Sequence, residues 1–207
     1  AKGAGQFEHT LNVVEDDADL HIIEGCSAPK YNVANLHAGA VELFVGKRAH
    51  LRYSTIENWA KNMYNLISQR ARCVEYGEFE WISGAFGSHV GYLYPMSVLA
   101  GRKSRSSFTG ITFAGTGQNL DTGCKVVLGA PDTTATVETK SSSRGGGIST
   151  FRSSIVATPA AEGSAASGSC QSLMLDDISR SDTIPAMDIR AKNVDIGHEA
   201  TIGRIGD

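Results

Sequence analysis

Four cysteines, Cys26, Cys73, Cys124 and Cys170, have the widest chemical range of any side chains in this sequence. A thiolate ligates iron and accepts sulfane sulfur. The four lie far apart and no two form a C-x-x-C pair, so a zinc ribbon or a thioredoxin-like motif is not supported. By residue type alone, each is equally well a small buried hydrophobe. His198 and Glu199 add an imidazole and a carboxylate, which are reasonable iron ligands beside a thiolate. Glu199 stands too far along the chain from Cys170 for the two to form a local metal motif. Asp176, Asp177 and Asp182, with Arg180, make an acidic cluster of the kind that holds a divalent cation or an acid–base pair. The glycine-rich stretches Gly115-Thr116-Gly117 and Gly145-Gly146-Gly147 lack the lysine of a phosphate-binding loop and read as chain corners.

Short strands must position these groups. Val41–Val45 and Cys124–Leu128 read as strands, and Thr134–Lys140 and Ser153–Ala157 alternate with period two, as half-buried strands do. Turn signals separate them at Gly46-Lys47, Gly84–Gly87, Gly115–Gly117, Ala130–Thr133 and Gly145–Gly147. This punctuation recurs about every 15–20 residues, which fits a sheet-rich solenoid and equally a sandwich or barrel. In a solenoid, one coil of about 25–30 residues returns the chain to a neighbouring position, which would set Cys170 and Glu199 side by side on adjacent coils. One segment reads differently. Trp59, Met63, Leu66 and Ile67 within Glu57–Arg70 have near-helical spacing, which predicts a short helix there. Ser164–Ser169 reads as a loop, or as a coil with small inward residues.

The 207 residues suffice for one domain with a substantial core. Hydrophobic residues make up 41% and charged residues 20%, values of neither a disordered nor a membrane chain. A net charge of −3 forces no basic face, so nucleic acid is not an expected partner. No apolar run approaches the ~20 residues needed to cross a bilayer, and no membrane association is expected. The first residues lack the apolar stretch of an export signal, so a cytoplasmic chain with free thiols is expected. The missing initiator Met and the abrupt Ile202–Asp207 end suggest a piece of a longer protein.

Several phrases, in order, resemble the core domain of the SufB/SufD family. They are Glu24-Gly25-Cys26-Ser27-Ala28-Pro29, Leu36-His37-Ala38, Glu57-Asn58-Trp59, Tyr64-Asn65-Leu66, Tyr94-Pro95, Ser143–Gly147, Asp176–Pro185 and Gly197–Thr201. They span almost the whole chain, and the Cys170–Glu199 block is closer to SufB than to SufD. The resemblance implies an all-β fold, a right-handed parallel β-helix with at most short helical segments, forming a single core domain over residues 1–207. It implies a scaffold, not an enzyme, on which a transient iron–sulfur cluster is built at a dimer interface. The implied partners are a SufC-type ABC ATPase, a second copy or a SufD-like chain, and a sulfur donor, either a cysteine desulfurase or its relay protein. The helical segment that docks the ATPase in the family would lie beyond Asp207.

Residue by residue, the resemblance marks Cys170 and Glu199, with His198, as the cluster-assembly and iron-ligating positions. It marks Cys26 as the thiol that accepts sulfur and passes it through the β-helix, along polar interior side chains. Glu57 stands where relatives often carry Gln; a carboxylate buried there has to be paired or protonated. Cys73 and Cys124 match no motif and read as core residues. The Asp176–Asp182 stretch resembles a structural or subunit-contact region. Two rival readings remain. One is a SufD-like interaction subunit without cluster chemistry. The other is a β-helix enzyme acting on polysaccharides through Asp176, Asp177, Asp182 and Arg180, against which stands the 7% aromatic content.

Overall fold

The computed structural model describes residues 5–28 and 33–205, and within them the chain is strand and turn only. Fourteen strands follow one another: β1 (Gly5–Val14), β2 (Asp19–Ser27), β3 (Asn35–Val45), β4 (His50–Asn58), β5 (Met63–Cys73), β6 (Glu78–Ala85), β7 (Val90–Leu99), β8 (Arg105–Ala114), β9 (Asn119–Leu128), β10 (Thr134–Ser143), β11 (Ile148–Ala157), β12 (Ala165–Met174), β13 (Arg180–Ile189) and β14 (Asp195–Arg204). The odd strands form one seven-stranded sheet in sequence order and the even strands a second. All pairings are parallel. Each coil is thus one strand in each sheet, stacked on the next: a parallel β-helix. Tyr64 pairs with Val90 and Ile148 with Arg180, so the coils are not all of one length, and the corners absorb the difference.

The expected short helix over Glu57–Arg70 is not formed. Glu57 and Asn58 end β4, Trp59–Asn62 make the corner, and β5 begins at Met63. Burial along β5 alternates without a break: Met63, Asn65, Ile67, Gln69, Ala71 and Cys73 point inward. The polar Asn65 and Gln69 occupy inward positions, so a hydrophobicity pattern misses the period of two and finds a helix-like residue. Ser164–Ser169 resolves as the second of its two readings: it opens β12, with Ala166 and Gly168 turned inward.

The interior is divided lengthwise. Near the corners that lead from odd to even strands it is apolar, with Val45, Leu51, Phe79, Leu99, Leu128 and Ala157 stacked coil upon coil. Near the opposite corners the buried residues include His37, Thr55, Glu57, Asn65, Ser83, Thr112, Thr122, Thr139 and Ser172. The apolar side carries a column of left-handed corner residues: Asp17, Arg48, Tyr76, Lys103, Asp132, Gly163 and Asn193, all with φ between 53° and 74°. Six of these backbone N–H groups, from Asp17 to Gly163, donate to a carbonyl one coil further on. That repeated bond holds a conformation which costs a non-glycine residue about 1–2 kcal/mol.

Candidate functional site

Chemistry-bearing side chains gather at two places in the interior, the first of them on its polar side. The first surrounds Cys26 on β2. Residues 24 and 26 share a strand face, so Glu24 and Cys26 both turn inward. The Cys26 thiol donates to Glu24 Oε1 at 3.5 Å, and the other oxygen of that carboxylate accepts a hydrogen bond from the Tyr53 hydroxyl. Glu57 is the register partner of Cys26 on β4. It is 4% exposed, and its Oε2 accepts from Trp59 Nε1 at 2.5 Å and from Asn65 Nδ2 at 3.3 Å. Asn65 Oδ1 in turn accepts from His37 Nδ1 at 2.7 Å, and His37 Nε2 lies 3.1 Å from Glu8 Oε1. The His37 ring lies over Trp59, with centroids 4.5 Å apart. The buried carboxyl expected at Glu57 is therefore paired, by neutral donors.

Burial raises the Glu57 pKa; the Trp59 hydrogen bond works against that and the charge of Glu24 adds to it. Burial likewise pushes the Cys26 thiol far above its usual range, and the charges of Glu57 and Glu24 push the same way. Cys26 is partly accessible. Together with Glu8, Glu24, His37 and Trp59 it lines a cavity of about 450 Å³.

The second place surrounds Cys170 on β12. Cys170 is 2% exposed and belongs to the apolar core cluster. Burial raises its pKa, and a hydrogen bond from Thr139 opposes the rise. β14 is its neighbour in the sheet, so Cys170 and Glu199 do lie on adjacent coils. Their side chains are on opposite faces. The register sets Ala200 beside Cys170 and Glu199 beside Ser169. A one-residue offset in a strand turns a side chain to the other face. Glu199 projects outward, where the Ser169 hydroxyl donates to it at 3.2 Å. His198 is the residue that shares the inner face with Cys170. It pairs with Gly168, and a Cβ at Gly168 would lie 2.4 Å from His198 Nδ1. Both ring nitrogens of His198 are buried, and neither has a hydrogen-bond partner among the described residues. Unsatisfied buried nitrogens are costly, so both call for a partner that the described residues do not supply.

A column of small polar residues joins the two places through the even sheet. In register order it reads Glu24, Thr55, Ser83, Gly110, Thr139, Cys170. A water-sized void of about 10 Å³ lies along it, lined by Ser83, Gly110, Thr112, Thr122 and Thr139 among others. Five strand spacings of about 4.8 Å put the ends of this column roughly 24 Å apart.

The remaining candidates sit in the core or in corner and surface pairs. Cys73 is buried in the core with its thiol pushed up to about 12 by burial. Cys124 is buried too, and burial followed by the nearby charge of Cys170 raises its pKa. Asp176 accepts from the backbone N–H groups of Gly145 and Ser179, fastening one corner to the next. The Ser179 hydroxyl first, and then these backbone bonds, hold its carboxyl below the usual range. Asp177 pairs with Arg204 and Asp182 with Arg180. Among the described residues, no group of three or more His, Cys, Asp or Glu side chains is arranged to hold a metal ion. Among the described residues, no helix is long and apolar enough to cross a membrane.

Motif reading singled out Cys26 and Glu57 but assigned no role to Tyr53, His37, Asn65, Thr139 or Gly168, and none to Glu24 beyond its phrase. Their signal is parity: each sits at an even offset from an inward residue on its own strand.

Comparison with known proteins gives the chain a family. The family described as "SUF system FeS cluster assembly, SufBD core domain" matches residues 1–207. An iron–sulfur cluster assembly SufBD family protein of Mycobacterium leprae is 41% identical over 203 residues, covering 98% of this chain and 23% of the relative. The iron–sulfur cluster assembly protein SufB of Bacillus subtilis is 40% identical over 207 residues, covering all of this chain and 44% of the relative. A SufBD family protein of Staphylococcus aureus strain MRSA252 is similar to the same degree, 40% over 207 residues. The chain thus spans less than half the length of these relatives. The chain belongs to the SufBD core-domain family of iron–sulfur cluster assembly proteins.

Proposed function

We propose that this chain is the core of a cytoplasmic scaffold that receives sulfur at Cys26 and completes a transient iron–sulfur cluster at Cys170, at the interface of a dimer. The observation that carries this reading is that His198 shares the inner face of Cys170 one coil away, two residues before the register partner Ala200, with neither ring nitrogen hydrogen-bonded among the described residues. A thiolate and a neutral imidazole are both iron ligands. Glu199, on the outer face of the same strand, adds a carboxylate toward a second protomer, which is a further copy or a SufD-like chain. Two or three ligands from one chain leave an iron site incomplete, and a partner supplies the remainder.

The polar column between Cys26 and Cys170 supports passage of sulfur through the interior. Its hydroxyls offer hydrogen bonds to a persulfide that an apolar core would not. In this reading sulfur arrives from a cysteine desulfurase or its relay protein, and ATP is hydrolysed by a SufC-type partner, with no turnover in this chain. Anaerobic reconstitution of the full-length protein tests the assignment. Replacing Cys170 with Ala is expected to abolish the cluster absorbance, and His198→Ala to reduce it about tenfold. An unchanged spectrum and yield in Cys170→Ala would place the cluster elsewhere and favour a SufD-like interaction role.

A further inference from the structure

A thiol that takes up sulfur must lose its proton. Around Cys26 the free thiolate is disfavoured, first by burial and then by the charges of Glu57, Glu24 and Glu8. The proton must therefore leave as the new bond forms, to an acceptor already in place. Glu57 is the register neighbour, but its Oε2 is engaged by Trp59 and Asn65. Glu24 touches the sulfur itself, through the 3.5 Å contact from Sγ to Oε1. Its second oxygen accepts from Tyr53, which is 1% exposed with its ring edge-on to Trp81. The carboxylate is thereby fixed against the thiol. Both groups line the 450 Å³ cavity, which has room for a donor's persulfide.

We propose that Glu24 accepts the Cys26 proton as Cys26 takes sulfur from a donor persulfide. This step rests on the reading of Cys26 as the sulfur acceptor. Cys26 Sγ attacks the outer sulfur of the donor R–S–SH. The Sγ–S bond forms, the donor's S–S bond breaks, and the donor departs as a thiolate. The Cys26 proton passes to Glu24 and from there to that thiolate. The sum is Cys26–SH plus R–S–SH giving Cys26–S–SH plus R–SH, so no external oxidant or reductant is used.

The test uses the full-length protein with glutathione persulfide as the probe donor, following sulfur on Cys26 by mass spectrometry after trapping. Glu24→Gln is expected to slow uptake about 100-fold. Uptake in that variant should rise about tenfold per pH unit above neutrality, as solution base replaces the carboxylate, while the unaltered protein responds less steeply. Tyr53, Glu57, Glu8 and His37, the other titratable groups facing the thiol, are the same in both proteins, so the difference between the profiles belongs to Glu24. Tyr53→Phe should give a smaller loss with an unchanged profile.

Alkylation of Cys26 by iodoacetamide supplies the second measurement. Removing a nearby negative charge makes the thiolate more available, so Glu24→Gln should alkylate faster while taking up sulfur more slowly. If Glu24→Gln takes up sulfur as fast as the unaltered protein, or faster, its carboxylate only suppresses the thiolate and the proposal is wrong. A parallel fall in alkylation and uptake, meaning a displaced thiol, also counts against it. If the unaltered protein gains no more sulfur than Cys26→Ser, the sulfur-acceptor reading itself is wrong and this step falls with it.

Discussion

At the scale of single residues, the site depends on which strand face each side chain takes. Gly168 has no side chain, and His198 occupies the space that leaves. Gly168→Ala should displace the imidazole while keeping Cys170, and lower the cluster yield in anaerobic reconstitution about tenfold. Glu57 gives a pH-dependent test. Its folded pKa is raised above the ordinary glutamate value of 4.5 by burial. The folded state therefore holds this proton more tightly than the unfolded state. The resulting destabilisation is absent below the ordinary value, grows as pH rises toward the folded value and is constant above it. Glu57→Gln removes that term and can still accept from Trp59. The melting temperature of the variant should exceed that of the unaltered chain by a margin that widens from about pH 4.5 upward. A margin independent of pH would mean that Glu57 is not ionised against its surroundings in the fold. Motif resemblance drew attention to Cys26, Glu57, Cys170, His198 and Glu199, and the structure sets the first two in register and the last three on adjacent strands. The facing of Glu199 was not legible in the sequence. It turns on the exact coil length, and a coil shorter by a single position would have set the carboxylate beside the thiol in place of Ala200.

At the scale of strands and corners, the sequence announced its sheets through alternation, as in Thr134–Lys140 and Ser153–Ala157, which lie within β10 and β11. It concealed β5, because Asn65 and Gln69 face inward and break the apolar pattern. The feature that hid the strand is the one that gives the interior its polar side. Corners impose their own demands. At Gly87, a Cβ would lie 2.1 Å from the backbone N and 2.2 Å from the backbone O of Trp59, the residue whose indole holds Glu57. Backbone cannot yield as a flexible side chain does, so Gly87→Ala should cost about 1–3 kcal/mol in denaturant unfolding. It should also disturb the neighbourhood of Cys26, visible as a changed rate of thiol alkylation. Lys103 stands in the left-handed corner column. Replacing it with glycine relieves backbone strain but loses its contact over the Tyr76 ring, so stability should change by less than about 1 kcal/mol.

At the scale of the whole molecule, each coil contacts its neighbours and little else, as in other solenoids. Among the described residues, β13 and β14 are the last strands of their sheets. On the outer face that Ser169 and Glu199 share, β12 carries the exposed Leu173. If the cluster forms between protomers, its stoichiometry is one per pair of chains. Leu173→Lys should then weaken both dimer formation in sedimentation and cluster yield, leaving sulfur uptake at Cys26 unchanged. Loss of sulfur uptake in that variant would show instead that the coils do not act locally.

The two thiols are separated by whole coils, and the separation therefore comes in fixed increments. A solenoid is lengthened or shortened one turn at a time, each adding a strand spacing of about 4.8 Å between Cys26 and Cys170. No hinge motion of a side chain bridges five such increments. If sulfur passes between the two thiols as proposed, it is handed from rung to rung, because neither cysteine side chain reaches across that distance.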